Sequence, residues 1–182
     1  MKSVERKDNM QQFKLSLWYH IKKVLCYYTG IRYFALKMVK PWKRYNRLID
    51  ISISDMKRII REENIKLIIL DMDGTLKHYK YGLLKENRKW VNEIKKYVNV
   101  YIVSNASKRY TSEVANDLNL PYVYKARKPR SKYFKYVCDK VLCSPSEVIM
   151  IGDSIKCDFI GANKYGINKI ILLDDLSIIC KK

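Results

Sequence analysis

The sequence predicts an α/β fold: a doubly wound, mainly parallel sheet with helices on both faces. Three observations predict it. Short apolar runs recur at KLIIL (66–70), VYIV (100–103), VIMI (148–151) and KIILL (169–173), without the alternation of a half-exposed strand. The stretches between them have helical spacing and helical length, so strand and helix units repeat and imply right-handed crossovers. Polar residues gather directly after the strands, where an open parallel sheet binds its ligands.

Taken in chain order, residues 11–40, QQFKLSLWYHIKKVLCYYTGIRYFALKMVK, interleave aromatic and aliphatic residues with Lys and Arg at roughly helical spacing. Two readings fit this segment. One is a basic amphipathic helix lying on an anionic membrane with Trp18, Tyr27, Tyr28 and Trp42 at headgroup level. The other is a helix packed on the domain or on another subunit. Pro41 marks the boundary, giving a 1–40 segment and a 41–182 domain.

Within that domain, DISISDMKRIIREENI offers Ser54 as a helix cap ahead of the strand at 66–70. A helix is expected around 83–97, then the strand at 100–103, a helix near 108–118 and a short strand at YVY (122–124). A helix near 131–142, the strand at 148–151, a helix near 155–165 and the strand at 169–173 complete the order. Gly166 fits the end of its helix, and Gly161 would permit close helix-to-sheet packing.

Composition narrows the partner. The 182 residues (21.7 kDa) suffice for one domain with a substantial core. With 37 Lys and Arg against 18 Asp and Glu, the formal charge of +19 predicts an anionic partner, a membrane surface or nucleic acid. Residues 1–49 hold 12 of those bases and only two acids. The five cysteines have neither metal-finger spacing nor the density of a disulfide scaffold, so reduced cytosolic thiols are expected. The first ten residues, MKSVERKDNM, are polar, and the run VLCYYTGI (24–31) is far short of the roughly 20 apolar residues of a spanning helix. A cytoplasmic protein, soluble or peripheral on the inner face of a membrane, is expected.

The chemistry sits at the strand ends. Asp71 and Asp73 come after the first run, Ser104 and Asn105 after the second, and Gly152, Asp153 and Ser154 after the third. Carboxylates converging on one crevice repel unless a cation neutralises them, and all-oxygen ligation suits Mg²⁺. A calcium loop on DMDGTLKHYKYG fails, because its sixth and twelfth positions are Leu76 and Gly82 rather than Gly and Glu. Lys128 lies among Lys125, Arg127, Arg130, Lys132 and Lys135. Most of that run reads as a solvated face. Lys128 is singled out because Pro129 fixes the backbone directly before a helix start and would hold it near the ligand end, where it would neutralise a phosphate.

In order, DMDGTL, the apolar run into Ser104 and Asn105, the Lys128–Pro129 pair and GDSIKCD (152–158) resemble the haloacid dehalogenase (HAD) superfamily of aspartate-nucleophile phosphatases. Over roughly 41–175, including LIDIS and PYVYKARKP, the chain is similar to the YqeG-like subgroup, which includes phosphatidylglycerophosphate phosphatases. The resemblance implies a Rossmann-like fold with Asp71 as nucleophile and Asp73 as acid and base. It also implies Mg²⁺ on Asp71, the Asp73 backbone carbonyl and Asp153. Ser104 and Lys128 would take the phosphoryl oxygens, Asp158 would orient Lys128 or a metal-bound water, and Gly74 and Thr75 would shape the turn. Asn105 is a further candidate for substrate binding.

Fewer than 30 residues lie between Asp73 and Val103, and 22 between Asn105 and Lys128. Neither interval has room for a cap domain, so an open site for a large or surface-bound substrate is expected. Phosphatidylglycerophosphate is the first expectation. A phosphoprotein, a polynucleotide end, a soluble metabolite, or nucleic-acid or ribosome binding with phosphatase chemistry secondary are the alternatives.

Overall fold

The computed structural model describes residues 40–78 and 82–174. The expected amphipathic helix over 11–40 therefore lies outside the described residues, apart from Lys40. The chain divides at Pro41 into two units, Met1–Lys40 and Pro41–Lys182.

The elements of the second unit are β1 (Lys43–Tyr45), α1 (Ile53–Glu62), β2 (Leu67–Leu70), β3 (Lys77–His78), β4 (Gly82–Leu83), α2 (Lys85–Ile94), β5 (Asn99–Val103) and α3 (Lys108–Leu118). After them come β6 (Tyr122–Val123), α4 (Lys132–Val141), β7 (Val148–Gly152), α5 (Ile160–Tyr165) and β8 (Lys169–Leu173). Six strands form one parallel sheet in the order β1-β8-β7-β2-β5-β6, while β3 and β4 pair as a separate antiparallel hairpin. The doubly wound α/β class expected from the sequence is the one found.

Every residue of β2 and β7 is buried, which is why these strands read as unbroken apolar runs. The two faces divide by strand alternation. Ile68, Leu70, Ile102 and Ile151 join Met56 of α1, Trp90 of α2 and Leu118 of α3 in one core. Leu67, Ile69, Val103 and Met150 join Phe134 of α4 and Ala162 of α5 in the other. Each such Leu or Ile contributes about 1.5–3 kcal/mol by burial. The buried Trp90 indole N–H donates to Ile51 O at 2.8 Å, fixing α2 to the segment ahead of α1.

Several local expectations are corrected. Ser52, not Ser54, caps α1: its Oγ accepts the Asp55 N–H at 3.4 Å, while Ser54 is already helical. The helix expected from 83 begins at Lys85, because Gly82–Leu83 is taken up by the hairpin with Lys77–His78. The strand at 122–124 pairs over two residues only. The helix from 155 opens with a π turn over Ile155–Phe159 before α5. Pro129 does not abut a helix, since α4 starts at Lys132; the Lys128–Pro129 peptide is cis.

Candidate active site

In the sheet order β7-β2-β5, three adjacent strands end side by side, so the polar residues after them are brought to one place. The Asp71 N–H donates to Ile151 O at 2.9 Å, which carries β2's register one residue past its end. The chain then turns sharply: the N–H groups of Leu76 and Lys77 both donate to Met72 O at 3.0 Å, and the Gly74 N–H donates to Lys77 O at 3.0 Å. Gly74 has φ +87°, and a Cβ there would lie 2.5 Å from Asp153 Oδ2. Only glycine combines that backbone with that approach. Behind the turn, the buried Asn87 amide of α2 donates to Thr75 O at 3.0 Å and Leu76 O at 2.9 Å.

After β5, Ser104 is buried and its Oγ accepts the Ala106 N–H at 3.0 Å. The Asn105 side chain bonds the backbone of Lys128. Its Oδ1 accepts the Lys128 N–H at 2.7 Å and its Nδ2 donates to Lys128 O at 3.1 Å, clamping the lysine's backbone on both sides. The clamp explains how a loop residue reaches the sheet centre: Lys128 Nζ lies 2.6 Å from Asp71 Oδ1 and 2.6 Å from Asp158 Oδ1.

After β7, Asp158 Oδ2 accepts the Ser154 N–H at 3.0 Å, and Ser154 Oγ in turn caps the π turn by accepting the Cys157 N–H at 3.1 Å. A Cβ on Gly152 would sit 2.4 Å from Asp158 Oδ2, so the carboxylate rests on bare backbone. Asp158 is fully buried. Carboxylate oxygens of Asp71, Asp153 and Asp158 come within 4.8 Å of one another. The Asp158 carboxylate is a member of this group and the Asp73 carboxylate is not; the ligand expected from Asp73 is its backbone carbonyl.

One ammonium among three carboxylates leaves an excess of negative charge that could bind a metal ion. The same setting shifts the titrations. Burial, then the neighbouring Asp71, push Asp73 up to about 6, with Lys77 opposing. Burial also pushes Asp158 up, joined by Asp71, against the pull of Lys128. For Lys128 burial alone would lower the value, but the Asp158 and Asp71 carboxylates outweigh it and raise it, so the ammonium stays charged. Burial likewise raises the Cys157 thiol.

One supporting residue, Asn87, is absent from the sequence reading, and Gly152 and Ser154 were placed at the strand end without these contacts. Asn87 left a signal, since it occupies the apolar stripe of α2 with Trp90, Val91 and Ile94. A polar residue on such a face needs a buried partner.

Residues 125–176 match the HAD-hydrolase-like family model. The Bacillus subtilis (strain 168) protein named probable phosphatase YqeG is 31% identical over 116 residues, which cover 63% of this chain and 67% of that one. Two solved structures share the fold: hypothetical protein XCC2798 of Xanthomonas campestris (14% identity, 75% of this chain and 78% of that chain, TM-score 0.51) and an uncharacterized protein of Listeria monocytogenes serotype 4b (17%, 63% and 94%, 0.50). With the aspartates, the buried lysine and the parallel sheet in place, this chain belongs to the HAD-like hydrolases, in the phosphatase family that includes YqeG.

Proposed function

We propose that the protein is a Mg²⁺-dependent phosphomonoester hydrolase that works through an aspartyl-phosphate and removes the terminal phosphate of phosphatidylglycerophosphate at a membrane surface. One observation carries the chemistry: Asp71, at the end of β2, has Oδ1 held by Lys128, while Asp153 and Asp158 stand beside it. Asp71 Oδ2 is then the oxygen for attack on phosphorus. As that bond forms, the ester P–O bond breaks and Asp73 gives its proton to the leaving oxygen. A carboxyl raised to about 6 suits a group that must be protonated in one step and basic in the next. Asp73 then takes a proton from water, whose oxygen attacks phosphorus, releasing phosphate and restoring Asp71. Ser104 Oγ and Lys128 Nζ hold the phosphoryl oxygens, which need positive charge more than covalent help.

The donor set fits a hard divalent cation, being all oxygen with two negative charges beyond the one Lys128 neutralises. Asp71, Asp153 and the Asp73 backbone carbonyl would hold Mg²⁺, which when bound offsets charge on the phosphoryl group.

Support for the lipid comes from the YqeG-like resemblance and from charge around the site. Lys125, Arg127, Arg130 and Lys132 are exposed on the loop and helix start that deliver Lys128. Cations so placed are drawn to an anionic leaflet. Among the described residues no helix is long and apolar enough to cross a membrane.

The test is phosphate release from phosphatidylglycerophosphate in mixed micelles beside soluble phosphomonoesters, with Mg²⁺ or EDTA. Preference for the lipid, lost in EDTA, is the expected result. Release from soluble esters alone would discard the lipid, and release from none would discard the phosphatase.

A further inference from the structure

Asp73 is held differently from the carboxylates beside it. Lys128 ties down Asp71 and Asp158, and the Ser154 N–H adds a second bond to Asp158. Among the described residues, no hydrogen bond reaches the Asp73 carboxylate. Its place is therefore set by the backbone that carries it.

That backbone is the turn from Met72 to Lys77. Met72 O accepts the N–H groups of Leu76 and Lys77, the Gly74 N–H donates to Lys77 O, and Asp73 bridges to Lys77. Bonded within itself in this way, the turn moves as one body unless something outside it holds on. Two of its carbonyls, Thr75 O and Leu76 O, accept from a single amide, Asn87 Nδ2, at 3.0 and 2.9 Å. Among the described residues no other side chain hydrogen-bonds the backbone of this turn. Lys77 Nζ rests 5.3 Å from the centre of the Tyr110 ring, a contact that lacks the direction of a hydrogen bond.

Asn87 is a firm post for the turn. It is buried, and the rest of α2 is anchored by the Trp90 indole on Ile51 O and by the buried Val91 and Ile94. An amide nitrogen has two protons, and here each meets one carbonyl, which fixes the plane of the side chain. Such bonds matter as geometry, since misplacing a reacting group by about 1 Å can cost about 100-fold in rate.

We infer that Asn87 is a positioning residue: by holding Thr75 and Leu76, it sets where the Asp73 carboxylate meets the leaving oxygen. The inference rests on the proposed phosphatase chemistry and adds to it a residue that acts only through another.

The test compares two aryl phosphates of similar shape, using the full chain with Mg²⁺. p-Nitrophenolate leaves readily without a proton, whereas phenolate leaves with help from one, supplied by Asp73. Asn87→Ala removes both donors, and the cavity of about 190 Å³ that Asn87 lines lets water reach the two carbonyls, so the fold should be retained. In this variant kcat/KM for phenyl phosphate should fall about tenfold or more, and for p-nitrophenyl phosphate about threefold or less. Val91→Ala, which loosens the same helix without touching the turn, should leave the ratio of the two substrates as in wild type. In an Asp73→Asn background, Asn87→Ala should add no further loss on phenyl phosphate, because the group it places is gone.

Equal losses on both substrates, a ratio shifted as far by Val91→Ala, or a full additional loss in the double variant would overturn the positioning role. So would loss of the fold in both Asn87→Ala and the milder Asn87→Ser, the mark of a residue that serves stability alone. Phosphate release from neither ester by wild type would instead overturn the phosphatase chemistry itself.

Discussion

Lys128 and Glu93 are mirror images. Lys128 stands between two carboxylates, Asp71 and Asp158, at 2.6 Å each; Glu93 stands between two ammonium groups, Lys57 at 2.8 Å and Lys96 at 2.6 Å. The distances are nearly the same and the surroundings are not. The Lys128 and Asp158 side chains are 2% and 1% exposed, against 28% for Glu93 and 63% for Lys96. Water screens the surface triplet, whose members can part at little cost. The buried triplet has no water to replace a lost partner, so its charges are held together by necessity. That obligation keeps the Lys128 ammonium beside Asp71.

The largest effect in this comparison is on activity. Asp71→Asn keeps the size of the side chain and an acceptor for Lys128 but removes the anionic oxygen proposed as the nucleophile. Phosphate release should fall to nothing detectable, while the melting temperature stays within a few degrees of wild type. Multiple turnover by the variant in a phosphate-release assay would refute the assignment.

Next comes stability. Lys128→Met leaves Asp158 buried with its charge uncompensated, and breaking a buried pair in this way costs about 3–5 kcal/mol. For a chain of this size the melting temperature should drop by roughly 10 °C. Lys128→Met with Asp158→Leu removes both charges together and should recover most of that loss without recovering activity. Thermal melts of the pair of variants check this. A single variant as stable as wild type would show that the buried triplet does not differ from the surface one.

The sequence carried the two triplets unequally. Strands β2, β5, β7 and β8 were legible because strands buried on both faces are apolar throughout, and the polar residues after them marked the site. Asp71, Asp153 and Ser104 could be placed on that basis, and Lys128 through the proline that follows it. Edge strand β1, with Lys43, Arg44 and Tyr45, is exposed enough to carry no such run. The β3–β4 hairpin is two residues long per strand, shorter than any periodicity can register. Asn105 was legible as important but not as a clamp, since its partner is the backbone of a residue 23 positions away. Asp158 needed the π turn and the bare backbone of Gly152 to reach Lys128, and neither is written in spacing.

The smallest effect falls on the mirror image. Hydrogen bonds from Lys57 and Lys96 lower Glu93 from 4.5 to about 2. A carboxyl depressed on folding stabilises the native state above its unfolded value and loses that contribution as pH falls toward its folded value. Wild type should therefore hold a small melting-temperature advantage over Glu93→Gln at pH 7. The advantage should shrink between about pH 5 and pH 2, and 1 M salt should erase most of it even at pH 7. Melts of the two proteins across that range, in low and high salt, check the sign. An advantage that survives both acid and salt would mean that Glu93 behaves like a buried charge. The contrast with Lys128 would then rest on geometry rather than on water.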